Sequence, residues 1–268
     1  MKLDWQEYWR LWIIITGGLV LFLVAAPFLP AKWERIELPT IQEADALPSP
    51  KEIILVKVPP PLISRKGDSS SVQAAPPSQA KKEVILLIGD SMIEWLRLRL
   101  ASWCKEAGHE LYTVIWPSSN LIWWGQTDTL LSFIRAYRPT YILISLGSNE
   151  LFVKNLQRRM AYFNRIMEMV GSIPVVWIGP PAWREDEGII DSLRNRMGPG
   201  RYFSSERLIM QRISDGAHPT PREAYRWADT LVAYLRDSAL YPINFPLQPP
   251  SKLTALPAKT HLLAPHAP

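Results

Sequence analysis

Between residues 83 and 240 the chain alternates between two patterns of apolar and polar positions. Short, almost unbroken apolar runs predict buried strands, and longer segments with an apolar residue at every third or fourth position predict helices. The predicted strands are Val84–Ile88, Glu110–Ile115, Tyr141–Leu146 and Pro174–Ile178, with a short fifth at Tyr202–Phe203. The predicted helices are Met92–Ala107, Thr127–Tyr137, Leu151–Val170 and Pro221–Leu235. Strands that alternate with helices predict an α/β domain, a parallel sheet with helices on both faces.

An apolar segment of a different kind precedes this domain. Leu11–Pro30 is twenty residues without a charged side chain, flanked by Trp5 and Trp33. Twenty helical residues span the ~30 Å hydrocarbon core of a bilayer, and tryptophans favour its interfaces. The alternative is a cleaved signal peptide, whose apolar region is usually shorter, ~7–15 residues. The sequence favours one transmembrane helix, with residues 1–36 as a membrane anchor.

Both segments that flank the predicted domain have the composition of disordered chain. Residues 37–82 contain Pro59–Pro61 and Ser69–Ser71, and residues 242–268 contain seven prolines in 27 positions. Such stretches are typical of linkers. We expect a Pro/Ser-rich linker over 37–82, a domain over 83–240 and a Pro-rich disordered tail over 241–268. A short N-terminal segment before the apolar span favours a single-pass protein of the inner (cytoplasmic) membrane, with the domain extracytoplasmic or periplasmic.

Composition narrows the classes of partner and site. The net charge of +5 is mild and the basic residues are scattered, so the sequence predicts no nucleic-acid partner. Cys104 is the one cysteine, which excludes an internal disulfide and any cysteine-based metal site in this sequence. Its position within a predicted helix favours a buried, inert thiol.

Polar residues and glycines follow the predicted strands. Gly89-Asp90-Ser91 follows the first strand, Gly147-Ser148-Asn149-Glu150 the third and Gly179-Pro180-Pro181 the fourth, and residues 215–220 precede the last helix. The carboxyl ends of parallel strands meet at one edge of a sheet, where ligands bind. We therefore expect these segments to converge on one site.

The residue types at that edge fit acyl chemistry. Ester cleavage needs a nucleophile, a base, a group that orients the base and donors for the oxyanion. Ser91 supplies a hydroxyl, His218 a base and Asp215 an acceptor for the imidazole, while Asn149 offers an amide and Ser91 its backbone N–H. Each residue has a plainer interpretation: Asp90 or Ser91 as a helix cap, His218 as a loop residue, Asn149 as a turn residue. Their joint occurrence favours catalysis.

These blocks carry a family resemblance over residues 83 to about 238. Gly89–Ser91 (GDS), Gly147–Asn149 (G-x-N) and Asp215–His218 (D-x-x-H) resemble, in order and spacing, the motifs of the SGNH (GDSL-like) hydrolase superfamily. The resemblance implies a flavodoxin-like three-layer α/β/α sandwich. It implies Ser91 as nucleophile, His218 as base, Asp215 as its partner and Asn149 as oxyanion donor. It also implies no metal and no organic cofactor.

One block departs from the family pattern. A glycine whose N–H completes the oxyanion hole usually follows the second strand, but residues 116–120 read Trp-Pro-Ser-Ser-Asn. Any non-proline residue donates an N–H, so Asn120 or Ser119 is expected in that role. Asn tolerates positive φ better than most residues. Glu150 stands where the family usually has Asp, and we interpret it as structural.

Tryptophans cluster near the same edge. Trp116, Trp123 and Trp124 follow the second predicted strand, and Trp183 follows the fourth. Aromatic faces suit sugar rings, so Trp123, Trp124 and Trp183 are candidate substrate-binding residues; the alternative for each is simple packing.

The sequence leads to a membrane-tethered serine esterase as the principal hypothesis. Its substrate would be an ester, with O-acetyl groups of an envelope polysaccharide favoured. An O-acetyltransferase that uses the same acyl-serine intermediate, beside a membrane-bound O-acyltransferase partner, is the alternative. A non-catalytic carbohydrate-binding domain is disfavoured by the intact Ser91, Asp215 and His218.

Overall fold

The computed structural model describes residues 81–268. The predicted membrane anchor and almost all of the predicted linker lie outside the described residues. Within residues 81–268, no helix is both long enough and apolar enough to cross a membrane.

Six strands of residues 81–268 form one parallel sheet. They are β1 Val84–Gly89, β2 Glu110–Ile115, β3 Tyr141–Ser145, β4 Val175–Ile178, β5 Tyr202–Phe203 and β6 Lys259–Leu262. Their order is β5-β4-β3-β1-β2-β6. The first five strands therefore follow the order of the flavodoxin-like doubly wound sheet, as expected from the sequence. All five predicted strands are present to within one residue at each end.

Six α-helices cover the two faces of the sheet in the described part of the chain. They are α1 Leu96–Ala107, α2 Leu121–Gly125, α3 Thr129–Tyr137, α4 Leu156–Val170, α5 Ile189–Met197 and α6 Pro221–Asp237. Helices α1 and α6 pack together on one face, and the other four lie on the opposite face. Helices α2 and α5 were not predicted. The helices predicted from Met92 and Leu151 begin later, since 3₁₀ turns at Ser91–Ile93 and Ser148–Glu150 come first.

The core has two layers because successive strand residues point to opposite faces. Ile85 and Leu87 pack with α1 and α6, whereas Leu86 and Ile88 pack with the helices of the opposite face. All four side chains are fully buried. Burial on both faces explains why β1 is an unbroken apolar run, and it fixes the position of the loop that follows.

The segment predicted as a disordered tail is ordered in the structure, so that prediction was wrong. Ile243 and Phe245 are buried, and β6 pairs in parallel with β2, with Ile115 opposite Leu262. Phe245 packs edge-on against Trp103, with the two ring centroids 6.2 Å apart. The physical reason is the edge of the sheet: β6 supplies partners for backbone groups that β2 would otherwise expose.

Candidate active site

The β1 strand ends in a tight turn that presents Ser91. Asp90 caps the following 3₁₀ turn, because its Oδ1 accepts the Met92 N–H at 2.9 Å. Gly89 makes the close approach of β1 to β3 possible, since a Cβ there would lie 2.7 Å from the Ser145 carbonyl oxygen. Ser91 itself is half-buried at the carboxyl edge of the sheet. The capping interpretation therefore holds for Asp90, and it leaves the Ser91 hydroxyl free for other contacts.

Three of the predicted residues form a continuous hydrogen-bonded chain. His218 Nε2 lies 2.9 Å from Ser91 Oγ, and His218 Nδ1 lies 2.6 Å from Asp215 Oδ2. With the proton on Nδ1, the imidazole donates to Asp215 and accepts from the Ser91 hydroxyl. The loop before α6 thus brings its histidine to the end of β1, 127 residues away in sequence.

Backbone donors hold Asp215 in its ionised form. Its Oδ1 accepts the N–H groups of Ala217 at 2.8 Å and of His218 at 3.0 Å. These bonds, followed by the imidazole contact, lower the pKa of Asp215 to about 2. A carboxylate that stays charged at neutral pH can hold the imidazole tautomer and stabilise the imidazolium.

Arg212 fixes the histidine loop to the rest of the edge. Its guanidinium donates to the carbonyls of Ala217 at 2.6 Å, Ala182 at 3.0 Å and Pro181 at 3.3 Å. It therefore ties the loop carrying His218 to the loop that follows β4. Sequence reasoning missed this residue, because a single loop arginine carries no signal of its partners.

The candidate oxyanion donors are the Asn149 amide and backbone N–H groups. Asn149 Nδ2 donates to the Ser119 carbonyl at 2.8 Å and to Asp90 Oδ2 at 3.2 Å. Among residues 81–268, no acceptor pairs with the N–H of Ser91 or of Asn120. Ser119 differs, since its N–H donates to the Trp116 carbonyl at 3.0 Å. The geometry therefore favours Asn120 over Ser119 as the donor in place of the glycine.

The loop after β2 does not need positive φ at Asn120. Asn120 is extended, with φ −146°, and its side chain caps α2 by accepting the N–H groups of Ile122 and Trp123. The left-handed residue is Ser118, with φ 61°. The irregular turn thus lies two residues before the candidate donor, which keeps its N–H without a glycine.

Two buried carboxyl groups, those of Asp90 and Glu150, neighbour Asn149. Glu150 is fully buried, and its Oε1 accepts the Leu121 N–H at 2.6 Å and lies 3.8 Å from Arg159 Nε. Burial raises the pKa of Glu150 to about 7, and burial likewise raises the pKa of Asp90 to about 7. Glu150 therefore connects the end of β3 to the first residue of α2, which agrees with a structural role.

The candidate tryptophans divide into two groups. Trp124 is fully buried, and its Nε1 donates to Ser119 Oγ at 2.9 Å. Its assignment as a substrate-binding residue was wrong, because no surface of it remains for a ligand. Trp123 and Trp183 are half-buried, and Trp183 Nε1 donates to the Ser148 carbonyl at 3.3 Å. Both keep exposed surface.

Other candidate chemistry is sparse in the described part of the chain. Residues 81–268 contain no group of three or more His, Cys, Asp and Glu side chains placed to hold a metal ion. Cys104 is buried in α1, and burial raises the pKa of its thiol well above the usual range.

Comparisons with known proteins add little to this geometry. No family model and no curated protein matches the chain. Three solved chains match. One of them, described as a gut microbial diltiazem-metabolizing enzyme, is 10% identical with a TM-score of 0.29, over 60% of this chain and 35% of the other. The matched region is thus about a third of that protein, and a likeness of this size carries no argument about function.

Proposed function

We propose that this protein is a serine esterase of the SGNH type. The observation that carries the proposal is the chain of contacts from Asp215 through His218 to Ser91, at 2.6 and 2.9 Å. Both distances are within hydrogen-bond range, so the base reaches its nucleophile and the carboxylate reaches the base. The three groups stand at the carboxyl edge of a parallel sheet, where ligands bind in such folds.

In the acylation step Ser91 Oγ attacks the ester carbonyl carbon. The new C–O bond forms as His218 Nε2 takes the hydroxyl proton, and the carbonyl electron pair moves to the oxygen. The tetrahedral intermediate then expels the alcohol oxygen, which takes the proton from His218. An acyl-serine and a free alcohol result. Asp215 remains charged throughout and stabilises the imidazolium.

The oxyanion would be stabilised by three donors. Ser91 N–H and Asn120 N–H have no acceptor within the described residues, and the amide of Asn149 can exchange its longer bond, 3.2 Å to Asp90, for one to the oxyanion. Preorganised donors of this kind act where negative charge develops, and removing one typically costs ~10²–10³ in kcat.

In the deacylation step water replaces the alcohol. His218 takes a proton from water, the hydroxide oxygen bonds to the acyl carbon, and the bond to Ser91 Oγ breaks as Oγ recovers the proton. The free acid is released. A sugar hydroxyl in place of water would give an acyltransferase by the same steps, so the acceptor distinguishes the two activities.

We propose O-acetyl groups of a cell-envelope glycan as the substrate. Two features support this: the predicted membrane anchor over residues 1–36, which would place the domain at the envelope, and the half-buried Trp123 and Trp183 beside the site. The same features motivate an extracytoplasmic position at the inner membrane and a membrane-bound O-acyltransferase as partner.

The test uses the full chain in detergent with p-nitrophenyl acetate and a fluorophosphonate probe. Wild type should hydrolyse the ester and take up the probe, whereas Ser91→Ala should do neither. Ser238→Ala is the matched control, since this exposed serine lies just after α6, at the opposite edge of the sheet. Equal labelling of wild type and Ser91→Ala would overturn the assignment. Faster transfer to an added sugar than hydrolysis would identify an acyltransferase.

A further inference from the structure

A cavity of about 420 Å³ opens beside the loop after β2. Its walls come from that loop, from the first half of α3 and from the segment after β6: Trp116, Thr129, Ser132, Phe133, Leu263 and His266 are the lining residues that matter here. The volume lies in the range of small-molecule sites, roughly 300–1,000 Å³. None of these residues belongs to the Ser91–His218–Asp215 chain.

Strand register places this cavity next to the catalytic serine. The Trp116 N–H donates to the Gly89 carbonyl at 2.9 Å, and the Leu263 N–H donates to the Ile115 carbonyl at 2.9 Å. Three segments therefore follow the adjacent strands β1, β2 and β6 at the same level of the sheet. They are the turn that carries Ser91, then Trp116, then Leu263. Neighbouring strands lie about 5 Å apart, so the backbones of Trp116 and Leu263 lie one and two strand spacings from the turn that carries Ser91.

The indole of Trp116 is held in place as part of the wall. Its Nε1 donates to the Ala264 carbonyl at 2.9 Å. Its ring packs against those of Trp123 and Trp124, with ring centroids 5.5 and 5.4 Å away. The same residue thus joins the segment after β6 to the tryptophans of α2. A wall fixed at both ends can select a ligand by shape with little loss of side-chain freedom on binding.

The chemistry of the lining indicates a neutral, polar ligand with an apolar face. No Lys, Arg, Asp or Glu side chain lines the cavity, so its walls hold no lysine, arginine or carboxylate side chain that would pair with an ionic ligand. Phe133 and Trp116 present aromatic surface, and Ser132, Thr129 and His266 present polar groups. The Thr127 hydroxyl, which has one proton, lies 3.1 Å from the Trp123 carbonyl and 3.0 Å from the Thr129 hydroxyl, and the Thr129 oxygen keeps a lone pair for a ligand donor.

We propose that this cavity is the subsite for the neutral sugar residue that carries the ester. The proposal rests on the proposed function and names the group that the enzyme recognises besides the acyl group. An acetyl group is far smaller than the cavity, so the larger part of the substrate is the occupant. The Ser132 hydroxyl donates to the Asp128 carbonyl at 3.0 Å and keeps lone pairs that can accept. An alkyl chain would cover these lone pairs, that of Thr129 and the ring nitrogens of His266 without pairing them, which carries a free-energy penalty. Sugar hydroxyls would pair with these groups, and the C–H face of the ring would pack on Phe133.

The first experiment compares two esters on the full chain in detergent. The measured quantity is kcat/KM for an acetylated methyl glucoside divided by kcat/KM for p-nitrophenyl acetate. Phe133→Ala and His266→Ala should each lower this ratio, by about tenfold for the aromatic. His266 is exposed, so its replacement leaves the core intact even if Phe133→Ala folds poorly. Tyr241→Ala is the control, an aromatic residue 45% exposed just after α6 at the opposite edge, and it should leave the ratio unchanged.

The second experiment measures binding without turnover. Saturation-transfer NMR on the Ser91→Ala protein with methyl glucoside should show contact of the sugar, and adding His266→Ala should weaken it. An unchanged ratio in both cavity variants, or no sugar contact in this measurement, would overturn the subsite. A loss confined to p-nitrophenyl butyrate would assign the cavity to the acyl chain and overturn it as well. Absence of Ser91-dependent turnover with sugar contact retained would instead overturn the esterase.

Discussion

The side-chain amide of Asn149 donates one N–H to Asp90 Oδ2 at 3.2 Å and the other to the Ser119 carbonyl at 2.8 Å. Both amide protons are therefore engaged when the site holds no substrate. An oxyanion at the Ser91 acyl carbon carries a full charge, and hydrogen bonds to charged groups are shorter and stronger. The weaker contact with Asp90 is the one that would be exchanged, while the bond to Ser119 keeps the amide in place.

Replacing Asn149 by Ala should lower kcat by ~10²–10³ and change KM little, because the donor acts on charge that develops only in the transition state. Steady-state kinetics with p-nitrophenyl acetate measures both constants. Asn155→Ala is the matched control, since Asn155 is exposed at the start of α4 and its side chain makes no capping bond. A change in KM with kcat preserved would exclude an oxyanion role for Asn149.

The sequence predicted that the candidate site residues meet at one edge of the sheet, because its parts have strong local patterns. Five apolar residues before Gly89 identify a strand buried on both faces, and the parallel-sheet rule brings the segments after such strands together. The second oxyanion donor was not decided, because it depends on backbone angles. The positive φ lies at Ser118 and the free N–H at Asn120, and neither can be inferred from the residue type alone.

The three elements that the sequence did not predict, α2, α5 and β6, escaped prediction for separate reasons. Helix α2 is five residues long, too short for a period to show, and its tryptophans were interpreted as ligand contacts. Helix α5 has Ile189, Leu193 and Met197 on one face, but its nine residues repeat this spacing only twice, which is a weak helical pattern. Strand β6 reads Lys-Thr-His-Leu between prolines, and only the free edge of β2 makes it a strand. Tertiary contacts, absent from local pattern, decide such segments.

Asp215→Asn should reduce kcat by up to ~10⁴, the loss seen when the same change in a serine protease favours the wrong imidazole tautomer. The pKa of Asp215 is lowered to about 2 by the Ala217 and His218 N–H groups and by the imidazole. The wild-type carboxylate should thus stay charged down to about pH 2 and add no acid limb above it. The pH profiles of kcat/KM for wild type and Asp215→Asn, beside His218→Ala, check this. Nearly full activity in Asp215→Asn with His218→Ala inactive would reduce the site to a Ser91–His218 pair.

Arg212→Met should lower kcat by ~10–10², because small misplacements of a catalytic group are costly and the arginine donates to three carbonyls that position the His218 loop. Arg212→Lys should recover part of the loss, since an ammonium can still reach one of these carbonyls. Arg222→Met is the control, an exposed arginine in the first turn of α6. Circular dichroism should show the same helix content in all three variants. Equal kcat in Arg212→Met and Arg222→Met would show that the hydrogen bonds of Arg212 are not needed to position His218.

Glu150→Gln should flatten the dependence of stability on pH. Burial raises the pKa of Glu150 from 4.5 to about 7, so between these values the folded protein binds more protons than the unfolded chain. The contribution of Glu150 to the free energy of unfolding is therefore largest below about pH 4. It falls as pH rises through 7, by roughly 3 kcal/mol. Asp90 contributes in the same direction.

Urea unfolding at pH 5 and pH 8 tests this linkage. The difference between the two pH values should be smaller for Glu150→Gln than for wild type, because Gln can still accept the Leu121 N–H but cannot ionise. Glu168→Gln, an exposed position on α4, should behave as wild type. An identical pH dependence in wild type and Glu150→Gln would mean that Glu150 is already ionised in the folded protein at pH 5. The connection from β3 to α2 would then be held by a charged carboxylate, paired with Arg159 at 3.8 Å.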